Sequence, residues 1–149
     1  MQISTKFTIA VHLLTAVAYF SESQKVTSDF LAGSIGSNPV IIRNIMGKLK
    51  EAGLIDIKRG PGGVTLEKKL TDISFLDIYK AVETNSEEVL FRFHENPNPL
   101  CPIGRTIHKS LDGELEEIQK NFEVELSKWT LADVYENSLE ELRKEKQNE

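Results

Sequence analysis

The chain has 149 residues, enough for one domain with a sizeable core, although one helix could still draw on a partner subunit. Hydrophobic content of 40% and charged content of 28% are those of an ordinary globular protein, no apolar run reaches the roughly 18 residues of a membrane span, and the start lacks the basic and apolar regions of a signal peptide. The net charge of −5 argues at first against nucleic acid, and the single cysteine, Cys101, excludes an internal disulfide and fits a reducing cytoplasm.

From residue 5 to residue 20, Phe7, Ala10, Leu14, Val17 and Ala18 recur at helical spacing without Gly or Pro, and Ile9, Val11, Leu13 and Phe20 add apolar positions between them. This predicts a first helix buried on more than one face. Thr27 and Ser28 offer capping oxygens for a short second helix through Phe30, Leu31 and Ala32, with a break from Gly33 to Gly36. Asn38 then Pro39 is a cap followed by a first-turn proline, so a third helix is expected to start here, run to about Ala52 and stop at Gly53. Ile42, Ile45, Met46 and Leu49 form its buried stripe, which leaves Val40, Arg43, Asn44 and Lys48 near the other side.

Residues 54–58 read as a strand, Arg59-Gly60-Pro61-Gly62-Gly63 as a turn, and residues 64–66 as the returning strand of a hairpin. Ser74 is set to cap a fourth helix with Phe75, Ile78, Tyr79 and Val82 on one face. Residues 84–104 are irregular, with prolines at 97, 99 and 102. Beyond Gly104, Ile107, Leu111, Leu115, Ile118, Phe122 and Leu126 step by four and three residues, a coiled-coil-like seam that predicts a dimerisation helix. Thr130 can cap a closing helix over residues 131–142, and the polar residues 143–149 are expected to fray.

The charge is unevenly placed. Residues 1–80 hold ten Lys/Arg against seven Asp/Glu, a balance of +3, and residues 81–149 hold eight against sixteen, a balance of −8. A basic front and an acidic back is the asymmetry expected when one half meets phosphates. Helix, helix, tight turn, helix and a hairpin with a basic glycine-rich tip, in that order, is the winged helix-turn-helix layout. An α-helix fits the major groove and its first exposed residues reach base edges. A tip bearing Arg59 can approach the backbone or a narrow minor groove, and Thr27 and Ser28 can bond phosphates. Each part has a plainer reading. Asn38-Pro39 starts helices in any protein, the glycine-rich tip could be a simple turn, and Lys48, Lys50 and Lys58 could be a solvated face. The ordered combination is more specific than its parts, although winged helices also serve as protein-interaction modules.

The sequence resembles the Rrf-two family of bacterial winged-helix regulators over nearly its whole length. The resemblance rests on residues 3–11, on Ile35-Gly36, on Leu49-Lys50-Glu51-Ala52-Gly53-Leu54-Ile55, on Arg59-Gly60-Pro61-Gly62-Gly63 and on Leu76-Asp77-Ile78-Tyr79-Lys80-Ala81-Val82-Glu83. It implies a homodimer on a palindromic operator of double-stranded DNA, usually repressing. By position it implies base contacts from Asn38, Val40, Ile41, Arg43 and Asn44, and a wing contact from Arg59, Gly60, Pro61 and Gly62. Cluster-binding members of that family use three cysteines before the long helix, plus another ligand. Here Cys101 stands alone in that loop, with His94 and His108 each seven residues away, and a cluster normally needs four protein ligands. No iron–sulfur cluster or other metal is therefore expected.

Cys101 is a candidate redox sensor, with Arg105 and the start of the long helix as sources of a lowered thiol pKa; the plainer reading is a small packed cysteine. Enzyme motifs are absent: there is no phosphate-binding glycine loop with a lysine, no zinc-spaced histidine pair and no nucleophile motif. His12 reads as packed or solvated, and Trp129 and Tyr135 as packing residues at a subunit interface. The expected fold is mainly α: a winged helix-turn-helix of three helices plus a two-stranded wing, with a long C-terminal dimerisation helix. The expected division is a DNA-binding domain at 1–83, a sensor-like loop at 84–104, and a dimerisation helix and closing helix at 105–149. The function so read is a cytoplasmic, sequence-specific transcription regulator, with a metabolite or partner protein as a candidate signal. The alternative is a winged-helix protein-interaction subunit without specific DNA binding.

Overall fold

The computed structural model of the protein describes residues 3–83 and 90–149. The first helix, α1 (Thr5–Phe20), begins where the Ser4 hydroxyl accepts from the Lys6 N–H, and it sends Ala10, Leu13, Leu14, Ala16 and Val17 into the core. The second, α2 (Ser28–Ile35), is capped by the Thr27 hydroxyl, which accepts from the Phe30 N–H at 3.1 Å. The break expected from Gly33 onward does not occur there. Gly33, Ser34 and Ile35 complete the helix, and the stop falls at Gly36, whose φ of 74° only glycine adopts cheaply. The third, α3 (Pro39–Glu51), starts at Asn38, whose Oδ1 accepts from the Val40 N–H at 2.8 Å, and buries the stripe Ile42, Ile45, Met46 and Leu49 read from the sequence.

Two antiparallel strands follow, β1 (Ile55–Lys58) and β2 (Gly63–Leu66), paired Ile55 to Leu66 and Lys58 to Gly63 around a 3₁₀ turn at Gly60–Gly62. Leu54 stays out of β1 because its N–H bonds the Leu49 carbonyl at the end of α3. The wing is seated against the segment before α2: the Val64 N–H donates to the Val26 carbonyl at 2.9 Å. Gly63 makes that approach possible. Its φ of 64° and ψ of −153° lie in a region essentially reserved for glycine, and a Cβ there would stand 2.7 Å from the Val26 carbonyl oxygen.

The fourth helix, α4 (Phe75–Val82), opens on a reciprocal cap in which the Ser74 hydroxyl accepts from the Asp77 N–H and the Asp77 carboxylate from the Ser74 N–H, both at 3.0 Å. After the irregular residues 90–106 comes the long α5 (Ile107–Ser127), and α6 (Leu131–Gln147) closes the chain. The tail expected to fray is helical to Gln147. Lys144 pairs with Glu140 and Glu141, and Lys144 and Lys146 sit where the helix C-terminus favours cations.

One core joins these parts. α1 contacts α2, α3 and β2, and also α4 and α6. Leu131, the first residue of α6, is fully buried in the same cluster as the α1 and α3 stripes. It is fixed by two backbone bonds, Leu131 N–H to the Ile73 carbonyl and Phe75 N–H to the Trp129 carbonyl, each 2.8 Å. In contrast, α5 buries none of its 21 residues. Phe122 of its apolar seam packs edge-on against Tyr79 of α4 at 5.4 Å, while Leu111 and Ile118 are exposed. Ile107, Leu115 and Leu126 are half-buried.

Candidate nucleic-acid interface

The buried stripe of α3 fixes what its opposite side presents. Ile42 is inaccessible, so its neighbours Val40 and Ile41 are pushed outward, 58% and 44% exposed, together with Asn38, Arg43 and Asn44. Exposed branched apolar residues at the start of a helix are costly unless they meet something apolar, and thymine methyl groups are such partners. Asn38 uses its Oδ1 as the cap, which leaves its amide hydrogens facing outward chemistry. Lys48 is half-buried.

Two features of this surface were not read from the sequence. Lys6, at the start of α1, shares a shallow hollow with Ile41, Asn44 and Lys48, so α1 adds a cation beside α3. Arg43 is held by Asp29 in the first turn of α2, Nη2 to Oδ1 at 3.6 Å. The only sequence signal for either was membership in the basic and acidic counts of the front half. Thr27 and Ser28 lie at the start of α2, where the Thr27 oxygen is already engaged as the cap. At the wing, Arg59, Gly60 and Gly62 are exposed at the hairpin tip, and Pro61 lies in its 3₁₀ turn. The Pro61 side chain, like residues 84–89 of the loop read as sensor-like, lies outside the described residues.

Away from this surface, Cys101 is exposed. Its thiol pKa is held below the ordinary cysteine value by backbone hydrogen bonds, first from Gly104 and then from Ile103. The cause expected from the sequence is therefore replaced. Arg105 meets Cys101 through its backbone N–H, which donates to the Cys101 carbonyl at 3.0 Å, and α5 starts only at Ile107. His94 and His108, separated by 14 residues, come together with ring centroids 5.2 Å apart, and His108 Nε2 donates to the His94 carbonyl at 3.0 Å. Among the described residues no three His, Cys, Asp or Glu side chains gather as a metal site, and no helix is long and apolar enough to cross a membrane. His12 is exposed and bonds Ser34 at 3.0 Å; Trp129 is half exposed.

The model of the Rrf2 family, described as iron-dependent transcriptional regulators, matches residues 3–137. YwnA of Bacillus subtilis (strain 168), described as a candidate HTH-type transcriptional regulator, is 38% identical over 132 residues, covering 89% of this chain and 96% of its own. The crystal structure of a candidate DNA-binding protein matches with a TM-score of 0.68 and 32% identity, over 87% of this chain and 97% of that one. A candidate transcriptional regulator from Lactobacillus plantarum, 24% identical, has the same fold, with a TM-score of 0.72 over 99% of this chain and 100% of that one. The iron in the family description was tested against the donors present. One thiol in 149 residues, exposed and with no cluster of ligating side chains among the described residues, does not fit an iron–sulfur cluster.

Proposed function

The chain belongs to the Rrf2 family of transcriptional regulators, which are not enzymes, and from that premise we propose that it is a cytoplasmic homodimer that binds a palindromic operator in double-stranded DNA and represses. The observation that supports this best is the outward face of α3. Asn38, Val40, Ile41, Arg43 and Asn44 are all exposed there beside Lys6 and Lys48, while the reverse face is locked into the core. In this reading α3 enters the major groove, with Arg43 and Asn44 donating to base edges and Val40 and Ile41 meeting thymine methyls. Thr27, Ser28, Lys6 and Lys48 meet phosphates. Arg59, Gly60, Pro61 and Gly62 place the wing against the backbone or minor groove.

Residues 1–83 carry DNA recognition in this proposal, residues 84–104 are the loop open to signals, and residues 105–149 hold the dimer. The seam Ile107, Leu111, Leu115, Ile118, Phe122 and Leu126 supports dimerisation, because Leu111 and Ile118 are uncovered in the single chain. Burying such a side chain fully is worth roughly 1.5–3 kcal/mol. The chain's single thiol also separates this protein from members that hold a cluster, so no step of the proposed DNA binding is routed through an iron–sulfur cluster.

The test is selection of bound duplexes from a random pool, followed by Arg43→Ala and Arg59→Ala on the selected operator and on random DNA. Arg43→Ala should relax preference at one position per half-site by about 1–3 kcal/mol. Arg59→Ala should weaken both duplexes alike. Equal losses on specific and random DNA for both variants would overturn the division of roles, and recovery of no enriched sequence would overturn the reading itself.

A further inference from the structure

We propose that the hollow between residues 90–93 and α5 is a binding site for a small organic cation, an alkylammonium or guanidinium group, and that this cation is a signal passed to the DNA-binding surface. The second half rests on the regulatory reading above; the first does not. The hollow has a volume of about 200 Å³, room for a headgroup rather than for a drug-sized molecule. Phe91 and Phe93 wall it from the loop, and Asp112, Leu115, Glu116 and Gln119 wall it from α5. The segment that carries the rings is held in place. The Leu90 N–H donates to Gln119 Oε1 at 2.7 Å, and Phe93 stacks on His108 with ring centroids 4.6 Å apart. Both ends of Gln119 are engaged, since its Nε2 donates to Glu123 at 3.1 Å.

Two carboxylates remain as the polar groups of the hollow. The Asp112 side chain has no ion pair or hydrogen bond among the described residues, and Glu116 meets Lys120 at 3.6 Å in a pair too exposed to be strong. Two phenyl rings and two carboxylates select by charge. The face of a ring is negative and attracts a cation, and the carboxylates add to that attraction while repelling any anion. A bare metal ion is served less well than an organic one. No three His, Cys, Asp or Glu side chains gather among the described residues, whereas the apolar substituents of an organic cation bury against Phe91, Phe93 and Leu115. A second copy packed on the proposed α5 seam would leave the hollow open, because Asp112 and Glu116 lie about 100–160° around the helix from the exposed Leu111 and Ile118.

The link to DNA runs through one helix. α5 contacts α4, where Phe122 meets Tyr79 edge-on, and α4 contacts α3. A cation that draws residues 90–93 onto α5 therefore acts one helix away from the surface that carries Arg43.

The experiment is an NMR titration of the full chain with choline chloride, replacing KCl mole for mole, and with 3,3-dimethyl-1-butanol as the uncharged molecule of the same shape. Choline should shift the backbone amides of residues 90–93 and 112–119 and saturate with a Kd on the order of 1 mM or tighter. The neutral alcohol should bind at least about tenfold more weakly. Phe91→Leu, which keeps an apolar wall and removes a ring, should weaken choline about threefold. Asp112→Asn should do the same, and being exposed it carries the test if the leucine variant does not fold. Saturating choline should change duplex affinity of the parent severalfold and have a smaller effect on Asp112→Asn at the same concentration. Equal binding of the two probes, no saturable binding, or binding unaffected by both substitutions overturns the site. Dissociation of the dimer by Asp112→Asn overturns it too, by showing that a second copy covers the hollow. Binding without any change in duplex affinity overturns the coupling. A parent that binds no duplex overturns the functional reading instead, since the NMR titration does not involve DNA.

Discussion

Two glycines predict opposite outcomes for the same substitution. At Gly63 an alanine must hold φ 64° and ψ −153° with its Cβ 2.7 Å from the Val26 carbonyl oxygen and 2.9 Å from Lys25 Cγ. The backbone term is about 1–3 kcal/mol. If the strand withdraws to relieve the clash, the buried Val64 N–H loses the Val26 carbonyl, for about 1–3 kcal/mol more. Gly63→Ala should therefore destabilise by about 2–6 kcal/mol, which lowers a urea midpoint by about 1–3 M at a slope near 2 kcal/mol/M. The wing should lift from the body, so operator affinity should fall even at temperatures where the protein stays folded. Gly33 lies inside α2, has no positive φ, and nothing within 4 Å would meet its Cβ. Gly33→Ala should stabilise by about 0.5–1 kcal/mol, because alanine favours a helix interior. Both are measured by urea denaturation at one fixed protein concentration, since the stability of the proposed dimer would depend on concentration. A Gly63→Ala protein within 0.5 kcal/mol of the parent would refute the seating of the wing on Val26.

Leu131→Ala removes a fully buried side chain that α6 contributes to the common core, and should cost about 2–5 kcal/mol, or about 5–20 °C in melting temperature; a shift under 2 °C would show that α6 is not keyed into that core. Asp29→Asn frees Arg43 and removes a negative charge beside the phosphates, so binding to random duplex should tighten while the ratio of operator to random affinity falls up to about fivefold; a ratio that rises would contradict the tethering. The Cys101 thiolate is stabilised by the Gly104 and Ile103 backbone groups, so its lowered pKa keeps it ionised to lower pH than a free thiol. Its alkylation rate should reach half-maximum at a lower pH than that of the same thiol in the unfolded chain, and an equal or higher midpoint would discount those hydrogen bonds.

The parts of this molecule that local rules control were legible in the sequence. Asn38, Thr27 and Ser74 cap because their side chains reach N–H groups two or three residues away, and the α3 stripe follows from helical period alone. The stop of α2 was misplaced because both Gly33 and Gly36 could end a helix, and which one takes a positive φ is decided by the chain around it. Ile41 and Ile42 show the same limit at the interface. Composition treats them alike, yet one is 44% exposed and the other inaccessible. Adjacent residues lie about 100° apart around a helix, but Ile41 stands only about 40° from Ile45 of the buried stripe, so the outward place of Ile41 came from family resemblance. Pairings across distance left no local trace: Asp29 with Arg43, His94 with His108, Lys6 beside α3, and Leu131 in the core.

The central position of α1 explains why the two ends of this protein should act together. A helix apolar on more than one face cannot be a surface element. Here α1 contacts α2, α3 and the wing strand β2, and also α4 and α6. The same helix carries Lys6 beside α3 at its start and, further along, His12, bonded to Ser34 of α2. Its cap residue Ser4 also donates to the Glu83 carboxylate at 2.6 Å, at the end of α4. A displacement of α6 should therefore bear directly on α1, which it contacts. Close-packed interiors transmit such shifts rather than absorb them. The acidic C-terminal half and the basic N-terminal half thus share one core through α1 and Leu131, and in the proposed homodimer a change at α6 should move the surface that carries Arg43 and Arg59.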